Sequence, residues 1–106
     1  LSLRVPVPNV SMLDLTVLLE KNTTADEVNT KFKEYANSSM RGILSVDEDY
    51  CVSSDFIGSS FSSIVAADMT QVVDKNMLKV LSWYDNEWGY SNRLIDLAIY
   101  AKSKMK

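Results

Sequence analysis

A chain of 106 residues with 46% hydrophobic and 24% charged side chains has the composition of one ordinary globular domain, large enough for a core and near the small end for a two-substrate enzyme. Its net charge is −3, and the basic residues are dispersed apart from Lys102, Lys104 and Lys106, so nucleic-acid binding has no support. No apolar run approaches the ~20 residues of a membrane span, nothing at the N-terminus resembles a signal peptide, and the lone Cys51 excludes a disulfide within the chain, so an intracellular, cytoplasmic setting is expected.

The chain opens at Leu1 without an initiator Met and already reads as extended from Leu3 to Val7, which makes a piece of a longer polypeptide the simplest expectation. Pro6 and Pro8 each remove a backbone donor, so that run belongs at a sheet edge or a bend. From Val10 to Glu20 the alternation is clear. Leu13, Leu15, Val17 and Leu19 share one face, with Asp14, Thr16 and Glu20 on the other. The second face also carries Val10, Met12 and Leu18, too apolar for free solvent, and a partner subunit or domain is expected to cover part of it.

Thr24-Ala-Asp-Glu27 is a capping box, and Val28, Phe32, Tyr35 and Ala36 recur at helical spacing, which predicts a helix over Ala25 to Asn37 with Lys31, Lys33 and Glu34 facing water. Ile43 to Val46 reads as a short strand closed by a solvated turn at Asp47-Glu48-Asp49. Tyr50 to Ile57 reads as extended, and Gly58-Ser59-Ser60 breaks it. Phe61 to Val73 alternates again, with Phe61, Val65, Ala67, Met69 and Val73 on one side.

Met77 to Tyr84 is apolar on both faces apart from Lys79 and Ser82, as a central strand is. A last helix over Glu87 to Ser103 is expected to bury Leu94, Ile95, Leu97, Ala98 and Ala101. Between the two lies Ser82-Trp-Tyr-Asp-Asn-Glu-Trp-Gly-Tyr-Ser-Asn-Arg93, in which either Asp85 or Asn86 can cap the helix. A Gly in a first turn costs about 1 kcal/mol relative to Ala, so Gly89 implies a close packing partner, either a strand or a ligand. The strands outnumber the helices and several are joined by short connections. The pattern predicts an α+β fold: a mostly antiparallel sheet with helices packed on one face.

That corner resembles the C-terminal signature of phosphorylating glyceraldehyde-3-phosphate dehydrogenase, Trp-Tyr-Asp-Asn-Glu-(Phe/Trp)-Gly-Tyr-Ser-Asn-Arg. Arg4-Val-Pro-Val-Pro-Asn-Val-Ser11 is similar to the family's Arg-Val-Pro-Thr-Pro-Asn-Val-Ser, and Val52-Ser-Ser-Asp-Phe56 to its Val-Ser-Ser-Asp-Phe. The similarity spans nearly all of this chain and the last third of the family's. It implies part of an α+β catalytic domain whose large antiparallel sheet also mediates tetramer contacts, with the Rossmann NAD(P)-binding domain elsewhere in the full protein.

The family oxidises and phosphorylates glyceraldehyde 3-phosphate, by thiolate attack, hydride transfer to NAD or NADP and phosphorolysis of a thioester, using a Cys nucleophile and a His base. This chain has no His, and Cys51 lies outside anything similar to the family's Ser-Cys-Thr-Thr-Asn block. Cys51 therefore reads as an ordinary buried or half-buried thiol. The Gly-rich dinucleotide fingerprint is also absent, and alone the chain is expected to catalyse nothing.

What the resemblance carries over is Arg4 as a ligand of the substrate or inorganic phosphate, for which a guanidinium's planar fork of donors is suited, and Asn86 as the partner of the nicotinamide carboxamide, amide to amide. Tyr90 corresponds to a tyrosine near the nicotinamide. For an isolated sequence the alternatives are a surface Arg, a helix cap and a packed aromatic. Trp83, Tyr84 and Trp88 read as core or interface residues, Arg93 and Glu87 as an ion pair or subunit contact, and the carboxylates at Asp26-Glu27 and Asp47-Glu48-Asp49 as structural, with no metal. Val7, Cys51 and Asp68-Met-Thr-Gln71 depart from the common pattern and leave room for a related dehydrogenase of erythrose 4-phosphate. A rival reading is a self-associating interaction module without catalysis.

Overall fold

The computed structural model describes residues 2–105 as a five-stranded sheet with two helices. The elements in chain order are β1 (Ser11–Leu18), α1 (Ala25–Ala36), β2 (Leu44–Asp47), a 3-10 turn (Ser53–Phe56), β3 (Ser63–Ala66), a second 3-10 turn (Ala67–Met69), β4 (Gln71–Val73), β5 (Met77–Tyr84) and α2 (Trp88–Lys104). The strand order is β1-β5-β3-β2, with β4 also on β5, and β2 with β3 is the one parallel pair. The fold is α+β with a mostly antiparallel sheet, as the pattern of elements predicts.

β5 is central because its residues can be buried on both sides. β1 covers one edge along its whole length, from Ser11 opposite Tyr84 to Leu18 opposite Met77, while β3 and β4 share the other edge in succession. Two apolar clusters lie on opposite faces, as the two-residue period of a strand requires. Leu44, Val65, Leu78 and Val80 form one, covered by Val28, Phe32 and Ala36 of α1. Val10, Phe56 and Ile64 form the other, against Trp83, Phe61 and Cys51.

α1 starts where the capping box places it: Thr24 Oγ1 accepts from Glu27 N at 3.2 Å and Glu27 reaches back to Thr24 N at 3.1 Å. Its apolar stripe is narrower than the spacing implies, because Tyr35 points out to solvent. Lys31 pairs with Glu34, and Lys33 with Glu48.

Several expectations are corrected. Leu3 to Val7 is not paired as a strand but takes the bend that its prolines imply; Val7 N donates to Val5 O at 2.8 Å, a three-residue turn around Pro6. Val10 does not share the exposed face of β1 with Met12 and Leu18. It is buried at 5% exposure and takes a positive φ of 78° that turns its side chain into the core. Tyr50 to Ile57 is not extended, because the Asp55 carboxylate accepts from Val52 N at 2.7 Å and closes a 3-10 turn.

Phe61 to Val73 is two strands rather than one, broken where Asn29 of α1 donates to Ala67 O at 2.9 Å and accepts from Thr70 Oγ1 at 2.7 Å. The acidic turn is solvated at Glu48 and Asp49 but not at Asp47, which is buried and accepts from Asp49 N and Cys51 N. Finally, α2 buries none of Leu94, Ile95, Leu97, Ala98 or Ala101; Gly89 is its one buried residue, and the helix extends past the edge of the core.

Candidate functional site

The ladder between β1 and β5 ends at Ser11 opposite Tyr84, so the run that enters β1 and the corner that leaves β5 emerge side by side. The corner turns on Asp85, 2% exposed. Its Oδ1 accepts from Glu87 N at 2.9 Å and Trp88 N at 2.8 Å, which caps α2, and its Oδ2 accepts from Gly58 N at 2.8 Å. Burial on its own raises the pKa of Asp85, but the hydrogen bonds from Trp88, Gly58, Asn9 and Glu87 outweigh it and hold the value down to about 2, so the group is ionised at neutral pH. Of the two possible caps, Asp85 is the one used.

Asn86 is left free by that choice. It is exposed at the turn, and its Oδ1 accepts one bond, from Ser11 Oγ at 3.3 Å. Ser11 thus reaches the corner, and it follows Val10, whose φ of 78° is rare for a β-branched residue and whose N–H is held by Asn9 Oδ1 at 2.8 Å. On the far side of the corner the close partner of Gly89 is neither a strand nor a ligand. It is the loop after the first 3-10 turn, where a Cβ on Gly89 would meet Phe61 O at 2.8 Å. That loop follows Phe56, whose ring stacks on Trp83 with centroids 5.8 Å apart.

Arg4 is exposed on the run before β1, at the same end of the sheet as Asn86, and is bonded to neither Asn86 nor Tyr90. Tyr90 is exposed in the first turn of α2. The topology therefore brings the segments that carry the three to one end of the sheet. Two surface hollows, one along α1 and one between the end of α1 and β2, are lined by none of them. Arg93 pairs with Asp96 at 3.0 Å and donates to Gly42 O at 3.2 Å, so its partner is not Glu87.

Cys51 is half-buried beside Asp47. The hydrogen bond to that carboxylate, with burial and the charges of Asp47, Asp55 and Asp49, pushes its thiol pKa up, away from the thiolate a nucleophile needs. Among the described residues no group of three His, Cys, Asp or Glu side chains is placed to hold a metal ion, and no helix is long and apolar enough to cross a membrane. Sequence reasoning named Asn86, Arg4 and Tyr90 but missed the framing roles of Asn9, Ser11 and Gly58. The signal for them was present in the motifs that contain them, without a sign of which backbone they would meet.

A family model described as glyceraldehyde 3-phosphate dehydrogenase, C-terminal domain, matches residues 1–86. The chain is 53% identical over 104 residues to glyceraldehyde-3-phosphate dehydrogenase 2 of Synechocystis, which covers 97% of this chain and 31% of that protein. It is 50% identical over 104 residues to the glyceraldehyde-3-phosphate dehydrogenase of Geobacillus stearothermophilus, covering 98% of this chain and 31% of the relative. To the chloroplastic glyceraldehyde-3-phosphate dehydrogenase A of Nicotiana tabacum it is 50% identical over 106 residues, all of this chain and 27% of the relative. The chain thus spans less than a third of the length of these relatives. With that model matched over most of its length and these relatives at 50–53% identity, the chain belongs to the glyceraldehyde 3-phosphate dehydrogenase C-terminal domain family.

Proposed function

We propose that this chain supplies one phosphate ligand and one nicotinamide contact to a phosphorylating glyceraldehyde-3-phosphate dehydrogenase of central carbon metabolism, whose nucleophile, base and main dinucleotide-binding surface lie in the rest of the polypeptide. The observation that carries this reading is the joining of the run that enters β1 to the Asn86 corner at one end of the sheet, through the ladder from Ser11 to Tyr84 and the hydrogen bond from Ser11 to Asn86. Arg4 offers a permanent charge and a fork of donors to the phosphate of glyceraldehyde 3-phosphate or to inorganic phosphate. Asn86, exposed and with only one bond to its amide, offers a donor and an acceptor to a carboxamide. The residues present fit a nicotinamide dinucleotide, NAD or NADP, which supplies the hydride acceptor when bound. Tyr90, exposed four positions on, is read as flanking it.

In the full-length protein, Arg4→Ala should raise KM for phosphate and for the triose phosphate about tenfold or more, the cost of a hydrogen bond to a charged group. Asn86→Ala should raise KM for the nicotinamide dinucleotide by several-fold and leave the phosphate constant unchanged. Unaltered constants in both variants would overturn the assignment.

A second role is favoured by the exposed apolar side chains of β1 and α2, among them Leu13, Leu18, Ile95 and Leu97. These are surfaces for the rest of the polypeptide and for other subunits of a homotetramer, which is compatible with catalysis in the same protein.

A further inference from the structure

A side-chain amide on an exposed turn rotates about its last bond with little hindrance, and a half-rotation exchanges its oxygen edge for its nitrogen edge. Asn86 is such an amide. It is exposed, and the helix cap that could have engaged it is made by Asp85, whose Oδ1 takes Glu87 N and Trp88 N. Among the described residues its side chain has one hydrogen bond, from Ser11 Oγ to Oδ1 at 3.3 Å, across 75 positions of sequence.

The residue that supplies this bond stands on a fixed support. Ser11 is the first residue of β1 and pairs with Tyr84, just ahead of the corner. The residue before it, Val10, is packed with Phe56 and Ile64, has its N–H held by Asn9 Oδ1 at 2.8 Å and takes a φ of 78°. A β-branched side chain keeps that costly backbone conformation only where its surroundings over-determine it. The direction in which the chain enters Ser11 is therefore set by the core, and the Ser11 hydroxyl is a firmer reference than the turn that carries Asn86.

We infer that Ser11 is a positioning residue for Asn86: its hydroxyl holds the Oδ1 edge of the amide and leaves the N–H edge turned outward, so that a carboxamide meets one orientation of Asn86 rather than two. This rests on the reading of Asn86 given above. It goes beyond that reading by giving a role to a residue of another strand that acts through Asn86, and it makes no use of Arg4.

The test uses the full-length protein with Ser11→Ala, Ser11→Thr, Asn86→Ala and the double variant of Ser11→Ala with Asn86→Ala, and measures KM for the nicotinamide dinucleotide and for inorganic phosphate. Ser11→Ala should raise the dinucleotide constant by about threefold, within the range of one neutral hydrogen bond, and leave the phosphate constant unchanged. Ser11→Thr, which keeps the hydroxyl, should restore the original value. In the Asn86→Ala background the loss of the Ser11 hydroxyl should add nothing, because a residue that works only by orienting the amide has nothing left to orient.

A role in folding alone predicts the same factor in both backgrounds. That result, a threonine variant as impaired as the alanine one, or an unchanged dinucleotide constant in Ser11→Ala while Asn86→Ala responds, would overturn the inference. Should Ser11→Ala not fold, Ser11→Cys, similar in size and a weak donor, takes its place in the same comparison. If Asn86→Ala itself leaves the dinucleotide constant unmoved, the functional reading of Asn86 falls and this inference with it.

Discussion

Gly89 is the residue where local preference and tertiary packing pull in opposite directions. In an open helix Ala is preferred to Gly by about 1 kcal/mol, but here an added Cβ meets the Phe61 carbonyl oxygen at 2.8 Å, and the obstacle is backbone rather than a side-chain tip that can swing away. Gly89→Ala should therefore destabilise the protein by about 1–3 kcal/mol, the usual cost of overpacking, seen as a lower urea midpoint at unchanged slope. A higher midpoint would show that the loop yields freely. The need for a close neighbour was legible from a glycine in a first helical turn. Which neighbour was not, because the Phe61 loop is 28 positions away. Asp85 and Asn86 are both good caps by type, and only the long-range donor from Gly58 decides between them.

At the scale of elements, alternation and capping located β1, α1, β5 and α2 to within a residue or two, since each has a local cause: a period, a capping box, an apolar run on both faces. Two stretches were misread where a side chain redirects the backbone. Tyr50 to Ile57 has the composition of a strand but is closed into a 3-10 turn by its own Asp55. Phe61 to Val73 keeps a two-residue period straight through a break that Asn29 imposes from α1, and no pattern inside the run could reveal it.

Asn29 thus couples helix to sheet, and it is only partly exposed, so that removing its amide strands Ala67 O and Thr70 Oγ1 together. Asn29→Ala is expected to cost about 1–3 kcal/mol, with hydrogen exchange accelerated in β4 and at the Ala67–Met69 turn before the rest of the sheet. Uniform acceleration across all strands would show instead that the pair does not hold the break locally.

At the scale of the molecule, the apolar surface is not all inside. Leu13 and Leu15 on one face of β1, Met12, Leu18 and Met77 on the other, and most of the apolar arc of α2 are exposed, more than a small domain leaves open without a partner. The family relationship accounts for this directly, since less than a third of each relative's length is represented by this chain. The wide apolar arc of α2 was legible in the sequence. That it would find nothing to bury against within this chain was not, because periodicity reports that a face is apolar and is silent about what covers it. The chain on its own should associate reversibly with rising concentration in sedimentation velocity, and Leu18→Lys together with Leu97→Lys should shift it towards the monomer; a clean monomer throughout would show that these faces are harmless in water.

Among the described residues α2 is gripped at its root, by the cap at Asp85, the contact of Gly89 with Phe61, and the bond of Arg93 to Gly42. Beyond Arg93 it runs as a cantilever for about 17 Å at 1.5 Å per residue. A tilt of about 5° at the root carries the tip of a 17-residue helix through about 2 Å. Any surface that clasps that tip is therefore leveraged onto the corner beside Asn86, and a small displacement at one end of the rod is magnified or reduced at the other according to which end is driven.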